Sequence, residues 1–216
     1  MLALDHLIIA VEYPEKAAKE FAEKHDVKVV EGGKHDNWGT YNYLAYFEND
    51  AYIEWIGMFD EELAAASDNP LIVQTYDTLS KGKVGFIQFA VRTEKMEAFI
   101  EHFQQTDVSY KGPFAGSRER PDGTRLEWRM LFPQSEIALP FILEWGKIKN
   151  VPQNKTLLND KKIEEVTLDV TKKAMFKEIF RLEETGDDIQ LENSRLKFEE
   201  DGGLDFTFTG RKCCCK

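Results

Sequence analysis

The chain has 216 residues, with 28 Lys plus Arg against 39 Asp plus Glu and a net charge of −11. That length gives one large domain or two small ones. A surface this acidic repels phosphate backbones and anionic lipid, which argues against nucleic-acid and membrane partners. No apolar run reaches membrane-spanning length, Met1 to Val11 lacks a basic leader, and all cysteines fall in Cys213, Cys214 and Cys215. These features fit a cytoplasmic protein whose folded body holds no disulfide.

In chain order, Leu4 to Val11 is a short apolar strand that carries Asp5 and His6 and ends in Ala-Val. Pro14 opens a helix at a position where its missing N–H costs nothing, and Ala17, Ala18, Phe21 and Ala22 share one face. Val27 to Val30 reads as a strand ended by Gly32-Gly33, and Gly39-Thr40 opens another, Tyr41 to Phe47. The turn Asn49-Asp50 leads to Ala51 to Gly57. An insert, Met58 to Lys83, holds a helix over Pro70 to Ser80. A second strand ending in Ala-Val then runs from Val84 to Val91, and Thr93 caps a helix in which Met96, Phe99, Ile100 and Phe103 follow the helical period. Gly123-Thr124 opens Arg125 to Phe132, and Pro133-Gln134-Ser135 precedes Ile137 to Gly146.

Two landmarks, Ala-Val and Glu-Trp (Glu54-Trp55 and Glu144-Trp145), therefore recur in one order with a helix and a Gly-Thr strand between them. Beyond the polar linker Lys149 to Lys162, a weaker third copy begins at Val166, Leu168 and Val170. Its helix carries Met175, Phe176, Ile179 and Phe180, and strands follow near Ile189 to Phe198 and Leu204 to Gly210. The expected fold is α+β: repeated βαβββ modules forming a cupped mixed β-sheet with helices outside. Residues 1–148 hold the paired modules, 1–57 and 84–148, joined by the helical insert 58–83, and residues 163–210 form a third, partial module. The third module has no fourth partner and is expected to pack on the first pair or against another subunit, as in a homodimer.

Three stretches resemble the glyoxalase-like subgroup of the vicinal-oxygen-chelate superfamily, which includes glyoxalases and bleomycin-resistance proteins. They are Leu4 to Val11, Glu31 to His35 followed by Trp38-Gly39-Thr40, and Tyr52 to Gly57. The resemblance implies a small-molecule pocket and one divalent metal (Zn, Mn, Fe or Ni) held by residues of the first and last strands of each module. Here it supplies His6, Glu54 and Glu144. Phe86, aligned through the Ala-Val landmark, occupies the fourth ligand position, so the metal is implied only in part. Gln88, two residues on, is a weak substitute. The resemblance further implies a lyase or isomerase acting on a small oxygenated metabolite. The alternative is a metal-free protein that binds and sequesters a ligand.

The residues permit a second chemistry. Glu54 and Glu144 sit in apolar strands, where ionised glutamate rarely goes unpaired. Two carboxylates beside one cavity raise each other's pKa, which makes one of them a general base; the bland reading pairs them with Arg125 and Arg129. Those arginines either face the cup and hold a substrate carboxylate or phosphate, or lie on an outer face with Leu126, Trp128 and Met130 inward. Tyr41 is a further candidate for ligand contact. His35 and Trp38 read as a glycine-rich lip that touches ligand, or as an ordinary surface loop.

Overall fold

The computed structural model describes the chain apart from residues 1, 136–138, 153, 183, 186–187, 201, 209–210 and 214–216. The start of the expected strand at Ile137 and the tail beyond Cys213 thus lie outside the described residues. The first module is β1 (Ala3–Ala10), α1 (Pro14–His25), β2 (Val30–His35), β3 (Thr40–Phe47) and β4 (Tyr52–Met58). The insert holds α2 (Glu61–Ala65) and α3 (Pro70–Ser80), and the second module is β5 (Gly85–Arg92), α4 (Met96–Gln105), β6 (Tyr110–Glu119), β7 (Arg125–Pro133) and β8 (Phe141–Trp145). There follow β9 (Leu158–Asn159), β10 (Ile163–Asp169), α5 (Lys173–Phe180), β11 (Glu184–Thr185), β12 (Asp188–Gln190), β13 (Arg195–Glu199), β14 (Asp205–Phe208) and β15 (Arg211–Cys213).

The first sheet has the order β2-β3-β4-β1-β5-β8-β7-β6, with β9 added beside β3. β1 runs parallel to β4 and antiparallel to β5, and β5 runs parallel to β8. Each half is thus a βαβββ unit, and the halves meet at β1 and β5. All eight residues of β1 are buried, as its nearly unbroken apolar sequence requires of a strand covered on both faces. On the outer face Leu7, Ile9, Trp55, Phe89 and Ile142 pack beneath helix residues such as Ala18 and Phe103. On the inner face Ile8, Ile56, Ala90, Trp128 and Leu143 meet Leu71 and Ile72 of α3. The insert therefore covers the cup.

The sheet curls until its two ends approach. Arg118 of β6 donates through Nη1 to the carbonyl of Gly32 on β2. Gly32 and Gly33 do not end a strand, as their composition led us to expect; they lie inside β2, with a register shift between Glu31 and Gly33. A Cβ on Gly33, whose φ is +131°, would stand 2.6 Å from the Glu119 carbonyl, so glycine permits the two edges to close. β6 itself was not expected. Its Gly112, Pro113 and Gly116 interrupt a strand pattern, and edge strands tolerate such residues.

The second sheet has the order β11-β12-β13-β10-β14-β15. β13 runs parallel to β10, as β4 does to β1, and β14 runs antiparallel to it. Phe176 and Phe206 of this unit share one core with Leu7 and Phe89. The second sheet thus packs on the first within the chain, which leaves the homodimer without the interface that motivated it. No helix among the described residues is long and apolar enough to cross a membrane.

Candidate functional site

The cup holds a narrow slot floored by His6, Glu54 and Tyr52 and walled by His35, Trp128 and Arg118. Its polar floor begins with an irregularity in β1. The pairing with β5 shifts register between Leu4 and His6. Leu4 packs in the outer core, while Asp5 and His6 both bond to residues that line the slot. A bulge of this kind re-aims side chains.

Five side chains follow in a row. Trp145 donates from Nε1 to Asp5 Oδ2 at 2.8 Å. Asp5 Oδ1 lies 2.7 Å from His6 Nδ1, His6 Nε2 lies 3.3 Å from Glu54 Oε2, and Asn42 donates to Glu54 Oε1 at 2.5 Å. Asp5, His6, Asn42 and Glu54 are at most 5% exposed. Tyr52 stacks on the imidazole with ring centres 4.6 Å apart. Burial alone would push the His6 pKa down. The hydrogen bonds and charges of Asp5 and Glu54 outweigh it and hold the imidazole at about 9. Burial would likewise push Glu54 up, but His6, then His35 and Asn42, bring it to about 2. Asp5 is lowered against its own burial, chiefly by His6. At neutral pH the floor is therefore an imidazolium between two carboxylates.

His35 is the opposite case. It closes β2, is 6% exposed and has Nδ1 3.0 Å from Thr40 Oγ1. Burial drives its pKa down to about 4, with the charges of Arg118 and His6 adding to the effect against Glu54. It is a neutral base beside a charged pair. It is not a loop residue, although it does face the slot, as does Trp38.

Other candidates fall elsewhere. Glu144 points away from the slot: it accepts the N–H of Met96 at the start of α4 and pairs with Arg129, which also meets Glu97 at 2.7 Å. Leu143 and Trp145 on either side of it line the slot, so Glu54 and Glu144 lie on opposite faces of the sheet. Arg125 and Arg129 occupy the outer face of β7, while Leu126, Trp128 and Met130 turn inward. Tyr41 is half-buried on the outer face of β3, near Glu15 of α1, and Asn42 takes the inward place. Trp55 packs beneath α1 against Phe21, but Trp145 belongs to the slot.

Strand register also relocates the implied metal positions. His6 pairs with Ala90 and Ile8 with Gln88, so the two-fold relation between halves carries His6 onto Gln88 and not onto Phe86. Ile8 pairs with Glu54 and Ala90 with Phe141, so Glu54 maps onto Phe141. Phe86 faces the outer core, edge-on to Phe206. Gln88 is bonded to backbone, donating to Leu139 O and accepting from Phe89 N. Phe141 carries no donor. Among the described residues no group of three His, Cys, Asp or Glu stands together to hold a metal ion. The side chains present do not fit the implied metal.

Sequence reasoning missed Asn42, Asn69, Arg118 and Asn150, all on the slot. Asn69 caps α3 by accepting from Leu71 N, and among the described residues neither its Nδ2 nor Asn42 Oδ1 has a hydrogen-bond partner. The polar pair Asp5-His6 inside an apolar strand was a visible signal; Arg118, on a strand that composition obscures, gave none.

Comparison with known proteins supports the architecture. A family model described as glyoxalase-like domain matches residues 4–182. No curated protein matches the sequence. A hypothetical protein from Staphylococcus aureus superposes with a TM-score of 0.75 at 20% identity, over 92% of this chain and 87% of that one. Methylmalonyl-CoA epimerase from Streptomyces coelicolor (a variant in complex with 2-nitronate-propionyl-CoA) gives 0.51 at 14% identity, over 70% of this chain and 100% of that one. A hypothetical protein from Bacillus halodurans gives 0.50 at 15%, over 70% and 99%.

Proposed function

The chain belongs to the glyoxalase-like domain family, within the vicinal-oxygen-chelate superfamily, and from that premise we propose that it is an isomerase-type enzyme moving a proton at a carbon beside a carbonyl. The substrate is a small oxygenated metabolite, the acid–base pair is Glu54 with His6, and no metal takes part. The observation that carries this reading is the buried row Asp5–His6–Glu54 on the slot floor. The epimerase of similar fold supports the reaction class and not the substrate. All cysteines lie in Cys213 to Cys215, and we place the activity in the cytoplasm.

In this reading Glu54 takes the proton from carbon. The imidazolium of His6, anchored at Nδ1 by Asp5, turns its Nε2–H from Glu54 to the carbonyl oxygen where negative charge develops. The 3.3 Å separation of His6 and Glu54 is long for a charge-assisted bond and easily exchanged. Releasing Glu54 from His6 and excluding water raises its basicity. The protonated Glu54 then delivers the proton to a different carbon of the conjugated enolate, or to its opposite face once the enolate has turned, which gives the isomer and restores the pair.

The acidity of Glu54 in the free site favours a second reading, sequestration without chemistry, because a carboxyl with a pKa of about 2 is a weak base. Incubation with a panel of carbonyl metabolites in heavy water, followed by NMR, separates the two. Solvent deuterium entering one metabolite, and lost in Glu54→Gln, supports catalysis. A metabolite that binds without exchange, and still binds Glu54→Gln, supports sequestration.

A further inference from the structure

The buried charges around the slot do not balance. Asp5 and Glu54 are matched by His6 and by Arg92, whose Nη1 lies 3.6 Å from Asp5. Arg118 and Arg120 are 5% and 8% exposed, yet among the described residues neither has a carboxylate within ion-pairing distance. Every hydrogen-bond acceptor they meet is neutral. Arg118 donates to Gly32 O and to Asn150 Oδ1. Arg120 donates to Asn150 Oδ1 at 2.9 Å, to Val151 O at 2.8 Å and to Lys149 O at 3.5 Å. Asn150 Oδ1 also accepts the Tyr46 hydroxyl at 2.7 Å, so one amide oxygen serves three donors. Buried guanidinium groups are ordinarily paired with anions, because leaving such a charge uncompensated is costly. Arg118 faces the slot, and so does Asn69, which is fully buried with an unpartnered Nδ2 donor.

We infer that the slot takes an oxyanion, a carboxylate or a phosphate carried by its small-molecule ligand, on Arg118 with Asn69 as a second donor and Arg120 behind it. This deepens the proton-transfer reading by naming the class of substrate, and it rests on that reading only for the statement that the anion belongs to a substrate. A guanidinium held in place by Gly32 and Asn150 is already oriented, so little entropy is lost when an anion docks. The anion then shares the slot with His6 and Glu54, which line it too.

The test uses the full chain, with inorganic phosphate and acetate titrated separately at low chloride and His35 followed by NMR. The charge of Arg118 helps keep His35 neutral, so an anion beside Arg118 raises the His35 pKa. Saturable binding of one probe with that rise is expected, and the probe that binds distinguishes phosphate from carboxylate. Arg118→Lys keeps a charge but loses the fork and should weaken binding at least about tenfold. Asn69→Ala, which leaves the sheet edges untouched, should weaken it less. Absence of saturable binding by both probes, or binding that leaves His35 unmoved and is equal in Arg118→Lys, overturns the inference. Glu54→Gln keeps the two proposals apart: it removes a negative charge from the slot and should preserve or tighten anion binding while abolishing exchange. Exchange that persists in a wild type blind to anions would overturn this inference alone.

Discussion

The two halves of the cup share one strand order and differ in what they present to its interior. In the first half, β1 and β4 put His6 and Glu54 on the floor. In the second, β5 and β8 put Gln88 and Phe141 at the matching places, one engaged by backbone and the other apolar. A repeated fold therefore does not repeat its chemistry. One half carries the ionisable pair His6 and Glu54 and the other supplies a wall, and the charge that escapes this division is on β6, at Arg118.

The contrast can be broken most sharply at the two glutamates. Glu54→Gln should lower deuterium exchange by about 10³-fold, the scale of a lost general base, as read by NMR on the responsive metabolite. The first half should also dominate the pH dependence of stability. His6 is raised to about 9 in the folded protein, so its stabilisation is complete below its ordinary value of 6.5 and disappears as pH rises through 9. His35 is depressed to about 4, so the folded state resists its protonation; its contribution is complete above 6.5 and is lost as pH falls toward 4. Glu54, depressed to about 2, contributes above 4.5 and loses that contribution as pH falls through 2. Stability should peak near 6.5 and decline on both flanks by roughly 3 kcal/mol for each group that titrates there, so the acid flank, which carries His35 and Glu54, falls further than the alkaline one, which denaturant unfolding across pH would show.

On the second half, Phe86→His should bring no metal uptake, because the side chain faces the outer core; it should cost about 2 kcal/mol through lost packing on Phe206. Elemental analysis and chemical unfolding check both parts. Glu144→Gln should have the smallest effect. Exchange should stay within about twofold of wild type, and stability should fall by about 1 kcal/mol, because glutamine can still accept from Met96 N but the start of α4 loses a negative charge and Arg129 keeps only Glu97 as an ionic partner.

Much of the architecture was legible because a repeat is read from order and period. The paired Ala-Val and Glu-Trp landmarks located both modules, and the helix expected over Pro70 to Ser80 of the insert is α3. The site was legible only in its first half, where Asp5-His6 and Glu54 interrupt apolar strands. Glu144 misled because a landmark does not carry register. The structural match of Glu54 is Phe141, three residues before Glu144, and an odd displacement turns a side chain to the other face. Phe86 misled through the irregular pairing between β1 and β5, which places Phe86 opposite the outer residue Ile9. Arg118 was hidden because an edge strand broken by glycine and proline has no clean period, and Asn150 because its place depends on how the cup closes.

The central claim is that Asp5 and Glu54 hold His6 as an imidazolium on the slot floor beside a neutral His35. Its most direct test is an NMR titration of the histidine rings in the wild type and in Glu54→Gln. The account predicts that His6 stays protonated to about pH 9 and His35 neutral to about pH 4, with the His6 pKa falling in the variant. Ordinary titration of both rings near 6.5, unchanged by Glu54→Gln, would contradict it.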